Sequence, residues 1–153
     1  MSSATERLAA AGIELPSVAT PLASYVPARR SADLIWTSGQ LPVVDGTLVA
    51  TGKLGGDLTT DAGRGAARVA ALNAVAAVAH KAGGIDNILR VVKMVVFVAS
   101  TVDFVDQPTV ANGASEVLQE VFGPDLGAHP RSAVGVTVLP LDAPVEVELV
   151  VEV

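Results

Sequence analysis

Two charged residues near the end of this 153-residue chain have the types and placement that chemistry needs. Arg131 stands at the mouth of an apolar strand, in His129-Pro130-Arg131-Ser132-Ala133-Val134-Gly135-Val136. Glu146 lies inside the next one, Val145-Glu146-Val147-Glu148-Leu149-Val150-Val151. A guanidinium is a flat fork of donors that grips a carboxylate through two parallel hydrogen bonds, so Arg131 is a candidate anchor for a small anionic substrate. The Ser132 hydroxyl and the amides of Ser132 and Ala133 are further donors for the same anion. Glu146 is the matching candidate base. Taken alone, each reads equally well as a strand charge facing water. Glu146 and Glu148, two apart, share one strand face opposite Val145, Val147, Leu149 and Val151, and that acidic face borders either solvent or a subunit cleft.

Weaker candidates surround these two. Thr37-Ser38-Gly39-Gln40 ends a strand with two hydroxyls and a glycine that permits close approach of a ligand to the backbone; an ordinary strand-to-turn junction has the same composition. Tyr25 is the only tyrosine, and its hydroxyl can orient a substrate or a water, or simply pack at a sheet edge. Asn112 lies off the apolar side of its helix, toward solvent or a site. His80 and His129 are far apart and lack metal-ligand spacing, so no metal site is expected. The Gly52-Lys53-Leu54-Gly55-Gly56 stretch lacks the spacing of a phosphate loop, there is no Gly-x-Ser-x-Gly elbow, and the absence of cysteine excludes thiol nucleophiles and thiolate metal sites.

The elements that must position these residues follow from periodicity. Leu8, Ile13 and Leu15 give a short N-terminal helix one apolar side, limited by Gly12 and Pro16, and it is expected as an appendage. Two β-rich runs, Tyr25 to Ala28 and Leu34 to Leu41, flank the polar residues 29–33 as an antiparallel pair. Asp45-Gly46 marks a tight turn. Thr59 or Thr60 caps an Ala-rich helix with Val69, Leu72, Ala76 and Ala79 on one side, ended by Gly83-Gly84. Ile88 to Ala99 reads as a buried central strand. Asp106 caps a second helix with Pro108 in its first turn, Val110, Ala114, Val117, Leu118 and Val121 as its buried side, and Gly123-Pro124 as its end. Strands from Ser132 to Val138 and Val145 to Val153 complete a single α+β domain over residues 1–153, with two helices on one face of a mixed sheet.

Half of the residues are hydrophobic and only 3% aromatic, so the core must be filled by small Ala and Val side chains. A mean hydropathy of +0.51 without a membrane-spanning apolar run points to apolar surface used in subunit contacts. The net charge of −6 and the lack of a Lys/Arg block argue against a nucleic-acid partner. The start, from Met1 to Arg7, has no apolar leader core, and a cytoplasmic location with no membrane partner is expected.

Together, Thr37-Ser38-Gly39-Gln40-Leu41-Pro42, the Pro-Arg-Ser-x-Val of Pro130 to Val134, Leu139-Pro140 and Val145-Glu146-Val147-Glu148 resemble the RidA/YjgF family, also called the L-PSP endoribonuclease group. The similarity runs from about Tyr25 to the C-terminus and leaves residues 1–20 as an extension beyond a minimal member. The resemblance implies a chorismate-mutase-like fold and a homotrimer with sites in the intersubunit clefts. It also implies hydrolysis of enamine/imine intermediates of the 2-aminoacrylate or 2-iminopropionate type to 2-keto acids and ammonia, without metal or organic cofactor. By that similarity Arg131 holds the substrate carboxylate beside Ser132 and the Ala133 amide, and Glu146 positions or activates water. Tyr25 comes from a neighbouring subunit, while Ser38, Gly39 and Asn112 line the cleft. A non-catalytic trimer that binds a 2-keto acid is the alternative; ribonuclease activity would rest on the family's older name alone.

Overall fold

Ser3 opens the first helix through a reciprocal cap: its hydroxyl accepts from the Glu6 amide at 3.2 Å, and Glu6 accepts from the Ser3 amide at 2.9 Å. In the computed structural model, which describes residues 1–153, this helix is α1 (Ala4–Ala11), closed by Gly12 in the left-handed region. The expectation of an appendage is corrected by Leu8, which is buried in the common core, where α1 packs on the second long helix.

β1 (Ala28–Ser31) and β2 (Leu34–Thr37) form the expected antiparallel pair, joined at Ala32-Asp33. β1 starts later than the sequence suggests, so that Arg29 and Arg30 lie in the strand and Tyr25 in the bend before it. An edge strand tolerates this, because its charged side chains face water and blunt unwanted pairing. β3 (Val43–Val44) and β4 (Thr47–Leu48) make a hairpin whose turn residues, Asp45 and Gly46, both have positive φ, as an Asp-Gly turn of this length requires.

Thr59 caps α2 (Thr60–Ala82) by accepting from the Ala62 amide. Its fully buried side is Ala67, Ala70, Ala71, Ala74, Val75 and Val78, while Val69 and Leu72 are only half-buried. The bulkier pair therefore marks the flank of the helix, and alanines occupy the contact itself. β5 (Arg90–Ala99) leads to α3 (Gln107–Leu126). Asp106 is the N-cap of α3, but its carboxylate accepts from the Thr109 hydroxyl and caps no backbone amide. Gly123, at φ 87°, breaks the helix, and one further turn follows Pro124. Val110, Ala114, Val117, Leu118 and Val121 are all fully buried, as their spacing predicts.

β6 (Arg131–Val136) and β7 (Val145–Glu152) complete a five-stranded sheet in the order β1-β2-β7-β5-β6, antiparallel throughout except for the parallel β5–β6 pair. Ile35, Met94, Val96, Val98, Val145, Val147, Leu149 and Val151 form its buried face under α2 and α3. The two helices approach so closely that a β-carbon on Gly113 would lie 2.1 Å from the Arg64 carbonyl oxygen. Arg64–Glu116 and Arg68–Glu120 pairs, each at 2.8 Å, bridge them at the surface. The opposite face of the sheet carries no helix and exposes Trp36 and Val134. No helix is long and apolar enough to cross a membrane.

Candidate functional site

Arg131 is the first residue of β6 and pairs with Met94, a fully buried residue of the helix-covered face, so its side chain turns toward α3. There one Nη donates to Ser115 Oγ at 2.9 Å and the other to the Pro108 carbonyl at 3.0 Å. Pro108, Asn112 and Ser115 follow one another at helical spacing, which puts half-buried Asn112 on the side of α3 that faces Arg131. Two of the five guanidinium hydrogens are used, and three remain for an anion.

Ser115 Oγ also lies 3.0 Å from His129 Nε2, and His129 Nδ1 meets the Gly127 carbonyl. One assignment satisfies every partner: Nδ1–H donates to Gly127, Nε2 accepts the Ser115 hydroxyl proton, and Ser115 accepts from Arg131. This chain needs a neutral imidazole. Burial is the main cause that lowers the His129 pKa below its ordinary value, the Arg131 charge adds to it, and the Gly127 hydrogen bond offsets part. Neither Ser115 nor His129 was singled out as a partner of Arg131 from sequence; the 108–112–115 spacing was the available signal.

Ser132 takes the opposite side. It pairs with Val95, and its hydroxyl lies 3.4 Å from Lys93 Nζ on the helix-free face, so it does not join the guanidinium in one anion site within a chain. Ala133 returns to the helix side and packs partly buried against the core.

Glu146 lies on the helix-free face of β7, half-buried and without a protein hydrogen bond or ion pair. Burial, and secondarily the Glu148 charge, raises its pKa above the usual carboxylate value. Its side chain occupies the space above Gly39, where a β-carbon would lie 1.7 Å from Oε1. Glycine leaves free the room that this placement of the carboxylate takes up. Residues 38–40 are held in place by reciprocal backbone bonds between Gln40 and Val147, at 2.8 and 3.0 Å. The Ser38 hydroxyl donates to the Val26 carbonyl at 2.6 Å, which leaves its oxygen free only as an acceptor. Tyr25, 44% exposed, accepts from the Leu22 amide at 3.2 Å. Buried Asn73 of α2, also unremarked in the sequence, donates to the carbonyls of Leu41 and Val43 and ties the loop beyond Gly39 to the core.

The chain therefore assembles two groups. Arg131, Asn112, Ser115 and His129 gather on the helix side of β6, and Glu146 and Gly39 on the open face of β7, with Ser38 and Tyr25 alongside. Glu146 is level with Phe97, and Phe97 with Val134, three residues beyond Arg131. Two strand spacings across and three residues along separate the Arg131 and Glu146 Cα atoms by about 14 Å, on opposite faces. One small substrate cannot reach both within one chain.

Comparisons with known proteins agree on one grouping. A family model described as YjgF/chorismate mutase-like matches residues 5–153. Protein TCP17 of Trypanosoma cruzi is 45% identical over 141 residues, spanning 92% of this chain and 88% of its own. A solved structure from Shewanella oneidensis MR-1 superposes with a TM-score of 0.95 at 34% identity, over 99% of this chain and 100% of its own. TdcF of E. coli, solved with bound serine, gives a TM-score of 0.61 at 26% identity, over 90% and 92%.

Proposed function

The chain belongs to the YjgF/chorismate mutase-like family, and from that premise we propose that it is a homotrimeric enamine/imine deaminase whose sites are completed by a second copy. The observation that carries this reading is the separation, in one chain, of an arginine held by Ser115 and Pro108 with three donors free from an unpaired, half-buried glutamate. A second copy supplies the missing half. The exposed apolar residues of the helix-free face, Trp36 and Val134 among them, favour such contact. Bound serine in TdcF is a small carboxylate of the size this arrangement suits.

In the proposed reaction the three free donors of Arg131 bind the substrate carboxylate, with Ser115 and His129 fixing the fork and Asn112 and the Ala133 amide beside it. Glu146 and Tyr25, both from the subunit neighbouring the one that supplies Arg131, hold a water near the Ser38 and Gly39 of their own chain. Glu146 accepts a proton as the water oxygen bonds to the imine carbon and returns it to the imine nitrogen, giving the carbinolamine; Glu146 then relays the hydroxyl proton to the amine, so that the C=O bond forms as the C–N bond breaks and ammonia and the 2-keto acid leave. The imine carbon is already electrophilic, so positioning and proton transfer suffice, and no metal or organic cofactor enters the scheme.

The test is ammonia release from 2-iminopropionate generated in situ by an amino-acid oxidase, with wild type beside Arg131→Ala and Arg131→Lys, and sedimentation to establish three 15.5 kDa chains per particle. Acceleration over spontaneous hydrolysis, lost in Arg131→Ala and reduced at least about tenfold in Arg131→Lys, is expected, because a point charge cannot reproduce the fork. Full activity of a trimeric Arg131→Ala protein would refute the mechanism.

A further inference from the structure

Beside Gly39 and Tyr25 lies a cleft of 760 Å³, walled by the N-terminal segment 14–22, the β3–β4 hairpin and the flank of α2. Its apolar lining includes Leu15, Val18, Leu41, Val69 and Leu72, and its charged residues are Glu14 and Asp45, both acidic. This volume falls within the range of small-molecule sites and far exceeds what a methyl side chain needs. Val69 and Leu72 lie half-buried on the flank of α2, Leu72 packing partly against the core, and both line the cleft wall. The cleft shares Gly39 and Tyr25 with the Glu146 half of the proposed reaction site and so borders it.

We propose that this cleft receives the side chain of the substrate, and that the protein acts on 2-imino acids with large uncharged apolar side chains in preference to alanine-derived ones. The inference rests on the deaminase reading and names its substrate class. Acidic side chains are excluded by Glu14 and Asp45, since the cleft offers no cation to balance them. The outer wall is the N-terminal segment, residues 14–22, which lies within the stretch that the family model matches.

The experiment compares kcat/KM for imines generated in situ from alanine, leucine, phenylalanine and glutamate. It also measures calorimetric binding of the corresponding 2-keto acids, in wild type, Val69→Phe and, as a control remote from the cleft, Val102→Ser. The leucine- and phenylalanine-derived imines should exceed the alanine-derived one by at least about tenfold, the glutamate-derived one should be poorest, and Val69→Phe should reduce the large-to-small ratio by about tenfold or more. Val102→Ser should leave the ratio as it is. Equal activity on all four imines with an unchanged ratio in Val69→Phe would overturn the cleft proposal while leaving the deaminase reading intact. Absence of acceleration on every imine, with keto-acid affinity still rising with side-chain size and falling in Val69→Phe, would refute the deaminase reading and sustain the cleft. Thermal melting of Val69→Phe establishes that it is folded; if that variant does not fold, the wild-type ranking alone decides, and the lack of a large-side-chain preference overturns the proposal.

Discussion

Replacing Gly39 with alanine puts a methyl group where the Glu146 carboxylate now lies. The new carbon would stand 1.7 Å from Oε1, 2.6 Å from Cδ and 2.8 Å from Cγ, whereas unstrained contacts need about 3.5 Å. The carboxylate must therefore retreat by between 1 and 2 Å, roughly the misplacement that costs 10²-fold in rate, or about 2.7 kcal/mol of barrier. Gly39 does not use a positive φ, and the obstructing atoms are the far end of a flexible side chain, so Gly39→Ala should fold with stability near wild type. Ammonia release from 2-iminopropionate should fall by about two orders of magnitude, measured beside thermal melting and 2-keto-acid binding. The double variant Gly39→Ala/Glu146→Gln should be no slower than Glu146→Gln alone, because both changes act on one carboxylate. A wild-type rate in folded Gly39→Ala would refute the claim that the position of Glu146 matters. Loss of folding would refute the claim that the clash is confined to a yielding side chain.

Three further outcomes follow from the geometry. Glu146 has a raised pKa, so the folded state holds its proton more tightly than the unfolded state and stability falls as pH rises above the ordinary value of 4.5; Glu146→Gln should melt higher than wild type at neutral pH, with the advantage vanishing toward pH 4, checked by thermal scans across pH. His129 is shifted the other way: its stabilising contribution is present above 6.5 and is lost as pH falls below it. Ser115→Ala should accordingly raise KM about tenfold with kcat largely kept and weaken the low-pH dependence of KM, whereas Ser115→Thr should restore both; steady-state kinetics from pH 5 to 8 give the answer. In Gly113→Ala the obstruction is the backbone of Arg64, which cannot rotate away. Although alanine gains about 1 kcal/mol of helix propensity, the forced separation of α2 and α3 should leave a net loss of about 3 kcal/mol, measured by urea unfolding.

The parts of the fold that depend on local chemistry were readable before the structure. Thr59, Gly83 and the Asp45-Gly46 pair act within a few residues of themselves, and all three lie where their types predict. The apolar stripe of α3 was readable because its polar positions alternate with Val and Leu at helical spacing. In α2 alanine fills both sides, so periodicity pointed to Val69, Leu72, Ala76 and Ala79; the two alanines are buried, the two larger residues only half so, and the fully buried face carries Ala67, Ala70, Ala71, Ala74, Val75 and Val78. Among the candidate site residues, the entrance position of Arg131 and the shared face of Glu146 and Glu148 came from strand alternation. The same alternation separates Ser132 from Arg131, a consequence that their adjacency in sequence conceals. The Arg131–Ser115–His129 chain joins residues 16 and 14 apart through the turn after α3, and only the path of that turn brings them together.

Asn73 holds the carbonyls of Leu41 and Val43 from the buried side of α2, and Gln40 is bonded twice to β7. Residues 14–21, across the cleft, make no hydrogen bond to the rest of the chain. The two walls therefore differ in what it takes to move them. Shifting the Gly39 wall means breaking into the core, whereas shifting the N-terminal wall disturbs side-chain contacts alone. Amide exchange should separate the two by orders of magnitude, and substitutions in the N-terminal wall should retune what the cleft accepts without touching the groups that do the chemistry.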